Sequence, residues 1–112
     1  MAGFTKKQWQ QIKDRDGCCA WHGLWCDPDT WVPQHRAGRG MGGSKSANRL
    51  SNGIVLCSSM NALIEADADL AMEARRRGIK VGFWADTEEI PVVYPDGPWW
   101  LSDDGTKRGQ PF

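Results

Sequence analysis

WVPQHRAGRGMGGSKSANRLSNGIVLCSSMNALIE, residues 31–65, is the stretch on which the reading of this chain turns. It opens on Thr30-Trp31-Val32, which reads as a short strand, and Pro33 places that strand at an edge or at its end. A histidine follows at position 35, and then a long loop over Gly38–Ser51 in which glycines and polar residues leave no periodicity. Ile54-Val55-Leu56-Cys57 is a short apolar run bounded by turn residues, the pattern of a buried strand. Beyond it Leu63, Ala66, Leu70 and Ala74 recur every three or four residues, which predicts one helix N-capped by Ser58 or Ser59. Arg75-Arg76-Arg77 suits the negative end of that helix dipole, and Gly78 is its stop.

Outward from this stretch, Thr5 is placed to cap a helix through about Arg15, with Trp9 and Ile12 on one face and Asp16-Gly17 as its end. Residues 17–29 read as turns around the cysteines. Downstream, Ile79–Trp84, Pro91–Tyr94 and Trp99–Leu101 are strand candidates. Asp96-Gly97 and Asp104-Gly105 are turn dipeptides, so the tail reads as a small β-meander. The 112 residues predict one α+β domain, its modest core helped by the area that seven tryptophans supply.

Fourteen basic and fourteen acidic side chains balance, so the global field favours no partner. The distribution is uneven: Arg36, Arg39, Lys45 and Arg49 fall in one stretch without an acid. That is how a local phosphate-binding face looks, and also how a solvated loop looks. No apolar run is long enough to span a bilayer, and MAGFTKKQW lacks the apolar core of a secretion signal. A cytoplasmic location without membrane contact is expected. Four cysteines in a reducing compartment favour metal ligation or simple burial over disulfides.

Strand, histidine, loop, strand, helix is the order of a ββα-metal finger. The pieces are Asp16-Gly17 followed by cysteines, His35-Arg36, Arg39-Gly40-Met41-Gly42-Gly43-Ser44, Asn52 before Ile54–Cys57, Asn61 four residues after Cys57, Leu63-Ile64-Glu65 and Gly78-Ile79-Lys80-Val81. Together, over residues 17–81, they resemble the HNH endonuclease family, in particular small HNH proteins of actinobacteria and their phages. The resemblance implies a ββα-metal core with an N-terminal helix and a C-terminal β extension over 82–112. It also implies metal-dependent hydrolysis of phosphodiester bonds, most readily in double-stranded DNA, with 5′-phosphate and 3′-hydroxyl products.

Hydrolysis of a phosphodiester needs a base to activate water and a cation to hold the developing charge. By the resemblance His35 is the general base and Asn52 the residue that ties the loop to the histidine strand. Asn48 is a rival to Asn52 with the wrong spacing to the strand. Asn61 stands where the family usually has a histidine ligand, and its amide oxygen suits Mg²⁺ or Mn²⁺. Glu65 lies one turn on, on the same helical face. Gln34 stands where many relatives carry aspartate or histidine and offers a neutral carbonyl oxygen. Arg36 and Arg39, beside the glycines, are the candidate phosphate ligands.

For structural zinc the candidates are Cys19, His22, Cys26 and Cys57, with Cys18 as a neighbouring option; the alternative is a fold that buries its thiols without metal. A vicinal Cys18-Cys19 redox pair is a weaker reading. Two other functions stay open: a nucleic-acid-binding or accessory protein that keeps the scaffold without cutting, and a protein-binding module using Trp84, Trp99 and Trp100.

Overall fold

The computed structural model describes residues 3–38, 48–82 and 84–109. Helix α1, Lys6–Asp16, starts where Thr5 accepts a hydrogen bond from Gln8 N at 3.1 Å while Gln8 Oε1 accepts from Thr5 N at 2.9 Å. This reciprocal pair satisfies two amides that a helix start leaves unpaired. Gly17, at φ 63°, closes the helix in the left-handed conformation.

Strand β1, Trp31–His35, pairs antiparallel with β2, Gly53–Cys57, in a register that sets Gln34 opposite Ile54 and His35 opposite Gly53. Every residue of β2 is buried. Val55 packs with Ile12 and Leu50 in a small cluster that Phe4, Trp9 and Trp31 flank. Ile54 and Leu56 join Met60, Ile64, Ala74, Ile79, Val92, Tyr94 and Leu101 in the main core. A strand covered on both sides reads as a continuous apolar run, which is why Ile54–Cys57 is conspicuous in the sequence.

The single helix expected after β2 is two: α2, Ser58–Ala66, and α3, Ala68–Arg76. Between them Asp67 is extended, at φ −121° and ψ 119°, and its carboxylate accepts from Asp69 N at 2.8 Å and Leu70 N at 3.1 Å. The short acid offers the backbone a cap in place of a helical turn, and the apolar period runs through the break undisturbed. The N-cap of α2 is Cys57 rather than Ser58 or Ser59, with no side-chain cap bond. Gly78 ends α3 at φ 70°, where a Cβ would run into the Pro91 carbonyl oxygen.

The tail forms a meander as expected, of β3, Val92–Tyr94, β4, Gly97–Leu101, and β5, Lys107–Gly109, the last of which was not among the strand candidates. Ile79–Trp84 forms no strand among the described residues; Val81 makes one parallel bridge to Ala37, its amide donating to Arg36 O at 3.0 Å. Buried Asp16 joins the layers, accepting from Arg15 Nε at 2.7 Å, Tyr94 Oη at 2.8 Å and Val55 N at 3.0 Å. The class is thus α+β, with two small antiparallel sheets. No helix among the described residues is long and apolar enough to cross a membrane.

Candidate metal centre and histidine site

Cys19, His22, Cys26 and Cys57 come together with their ligand atoms all within 4.8 Å of one another, an arrangement that could hold a metal ion. The His22 Nδ1 faces all three thiols: Cys26 Sγ at 3.1 Å, Cys57 Sγ at 3.5 Å and Cys19 Sγ at 3.9 Å. Cys19 and His22 sit on a tight turn closed by Cys19 N to Gly23 O and Gly23 N to Cys19 O, with Gly23 at φ 68°, and Cys26 follows three residues beyond it. In the same turn the His22 amide points at Cys19 Sγ, 3.5 Å away. Cys57 arrives from the end of β2, so the irregular spacing in sequence resolves into one cluster in space.

Burial first, and then the neighbouring Cys57 and Cys19 thiols, push Cys26 up to about 12. Crowded thiols resist ionising because thiolates repel, and a cation at their centre reverses that order. Cys18 stays outside the cluster, and burial holds its thiol above the ordinary range. All four cysteines are free thiols. Leu24 and Trp25, between His22 and Cys26, are almost fully exposed and border a cleft of about 370 Å³ with Pro95 and Asp96.

His35 ends β1, half-buried. Its ring stacks on Phe4 at 4.4 Å between centroids and 16° between planes. Its Nε2 lies 2.9 Å from Asn48 Oδ1. Asn48, set aside on its spacing in the sequence, is therefore the residue that touches the imidazole. Asn48 lies 13 residues from His35 in the chain, so spacing to the second strand does not measure distance from the ring. Asn52 plays the other half of the expected role. Its Oδ1 accepts from Ala37 N at 2.7 Å and its Nδ2 donates to Ala37 O at 3.3 Å, which staples the chain just beyond His35 to the start of β2. Phe4 carried no signal in the sequence, being one aromatic in a terminal segment.

Strand alternation divides the remaining candidates. Gln34, opposite Ile54, lies on the side of the hairpin that α2 covers, and its Nε2 donates to His35 O at 3.1 Å. His35, opposite Gly53, lies on the α1 side, where a Cβ on Gly53 would meet Phe4 and Ile12. Asn61 is half-buried near the start of α2. Glu65, one turn further, is exposed with Lys80 Nζ 3.6 Å from its carboxylate.

The expected phosphate ligands need a correction. Arg36 is only 1% exposed. Its guanidinium donates to the carbonyls of Gly78 at 2.8 Å, Ser51 at 2.9 Å, Thr87 at 2.8 Å and Ile90 at 2.5 Å. Burial lowers it to about 10, so it stays charged near neutral pH but spends that charge on the interior. Arg49, another member of the basic stretch, donates to Asp103 at 2.7 Å and pairs with Asp86 and Glu88 at 3.5 Å. Arg39, the neighbouring glycines and Lys45 lie outside the described residues.

Of the tryptophans in the partner-surface reading, Trp84 is 79% exposed. Trp99 and Trp100 are half-buried on β4 beneath Lys107 and Arg108. Compared with known protein families, curated proteins and solved structures, the chain matches none.

Proposed function

We propose that the chain is a metal-dependent nuclease of the HNH type, built on a zinc-stapled ββα finger and acting on phosphodiester bonds in DNA. What carries this reading is the setting of His35. It ends the first strand of a hairpin that runs directly into α2, and its ring is held by Phe4 and Asn48. The His35 base takes a proton from water, the water oxygen attacks phosphorus, and the bond to the 3′ oxygen breaks. Asn52 keeps the chain beyond His35 in place through Ala37. This reading takes Asn61, Glu65 and Gln34 as the oxygen ligands of the ion, although strand alternation turns Gln34 to the face of the hairpin opposite His35. Mg²⁺ or Mn²⁺ held there would stabilise charge on the phosphate and the leaving oxygen. With Arg36 committed to the interior, Arg39 is the phosphate ligand of this reading.

Zinc is the ion that suits the cluster. Tetrahedral zinc, at roughly 2.3 Å from sulfur and 2.0 Å from nitrogen, sets its donors about 3.5–3.8 Å apart. The three sulfur-to-nitrogen distances of 3.1, 3.5 and 3.9 Å bracket that spacing. Four protein ligands leave no open position, so this zinc is structural.

Supercoiled plasmid incubated with the protein and Mg²⁺ or Mn²⁺ is expected to be nicked or linearised, and chelator is expected to stop it. His35→Ala should slow cleavage by about 100-fold or more. Cleavage at the wild-type rate by that variant would sink the mechanism.

A second reading is a non-cleaving nucleic-acid-binding or accessory protein on the same scaffold. The commitment of Arg36 to four carbonyls and of Arg49 to three acids favours it, as does the neutral Gln34 beside His35. It predicts salt-sensitive DNA binding without cleavage under any divalent ion.

A further inference from the structure

We infer that the N-terminal segment is part of the His35 site, with Asn48 the positioning residue that makes Nδ1 the working nitrogen of the imidazole. The inference rests on the reading of His35 as a general base. A neutral imidazole has one donor and one acceptor nitrogen, and a base must present the acceptor to its substrate. Which nitrogen does so here is set by a chain of hydrogen bonds whose polarity is unambiguous at its far end.

That end is the Gly3 carbonyl, which only accepts. Asn48 Nδ2 donates to it at 3.3 Å, so the amide oxygen of Asn48 is the atom turned toward His35. An amide oxygen also only accepts, and His35 Nε2 at 2.9 Å must therefore carry the proton. Nδ1 is left with its lone pair and has no hydrogen-bond partner among the described residues.

The same segment holds Asn48 by its backbone. Gln8 Oε1 accepts from the Thr5 amide, which leaves Gln8 Nε2 to donate to Asn48 O at 3.1 Å. Phe4, between these two contacts, stacks on the imidazole face and fixes the ring plane. Thus Gly3, Phe4 and Gln8 set the tautomer and orientation of a histidine about thirty residues away. The helix cap sets Gln8, and Gln8 and Gly3 together set Asn48.

The tautomer can be read without any assay of cleavage. Long-range ¹H–¹⁵N correlation spectra of the full chain, recorded at alkaline pH where imidazole is neutral, distinguish pyridine-like from pyrrole-like nitrogens. The chain has only two histidines, so His22 serves as an internal control on the fold. For His35 we expect a pyridine-like Nδ1 and a pyrrole-like Nε2. Asn48→Leu should replace that pattern with a mixture of tautomers while the His22 signals hold. Asn48→Asp, which still accepts from Nε2–H, should restore it. A pyrrole-like Nδ1 in the wild-type chain, or an unchanged pattern in Asn48→Leu, overturns the inference.

In the plasmid assay Asn48→Leu should lower kcat about tenfold or more with little change in KM, because it removes a correctly presented base rather than a substrate contact. If the wild-type chain cuts nothing, the nuclease reading falls while the spectra still decide the positioning role of Asn48.

Discussion

The guanidinium of Arg36 is buried and ties together carbonyls from three separate segments, at Ser51, at Gly78, and at Thr87 and Ile90. Carbonyl dipoles converging on one planar, five-donor group are what make a buried charge tolerable here. Arg36→Leu would leave those acceptors dry and unpaired, which should cost about 3 kcal/mol or more in urea unfolding. Arg36→Lys, with three donors and a shorter reach, should recover only part of that loss. A change below about 1 kcal/mol in Arg36→Leu would show that the carbonyls find other partners. In the sequence the residue looked like a phosphate ligand because an arginine beside a histidine and glycines carries no mark of its burial. His35 itself was legible, since its place before the loop and β2 is a matter of order alone. The residues that hold it, Phe4 and Asn48, were not.

Between residues 58 and 76 the apolar period of 3.6 persists across Asp67, so pattern alone reports one helix where the chain makes two. The break lies in backbone dihedrals, which an apolar period does not record. Asp67 caps α3 through two amides and accepts the turn that results. Asp67→Ala should therefore lower stability by about 1 kcal/mol in thermal unfolding. Because alanine also favours helix, far-ultraviolet circular dichroism of the variant should not fall. Loss of more than about 3 kcal/mol would mean that Asp67 does more than cap. The ends of α1 were readable for the converse reason: Thr5, Gln8 and Gly17 act within a few residues of one another.

Taken whole, the molecule is small, and its cysteine–histidine cluster, which could hold a metal ion, joins the turn after α1 to the end of β2 at the edge of the main core. An ion bound only by the folded chain stabilises it by an amount that grows with the logarithm of ion concentration over Kd. A strong chelator should lower Tm by about 10 °C or more, and Cys57→Ser should do the same without chelator. Protons compete for thiolates and for imidazole, so metal retention should weaken steadily on acidification below neutral pH. A Tm indifferent to both chelator and Cys57→Ser would leave the cluster as buried thiols alone. That these four residues belong together was already suggested by their chemistry, since three thiols and an imidazole suit one ion whatever their spacing. The caps of α1, the order of α1, β1 and β2 with a helix after them, and the buried run of β2 were likewise present in the chain, because local propensity and periodicity act over a few residues. The tertiary structure alone decided that Arg36 turns inward, that Asn48 rather than Asn52 meets the histidine, and that Phe4 covers it. Those contacts join residues 13 to 54 positions apart, and only the packing of α1, the hairpin and the meander into two clusters brings them within reach.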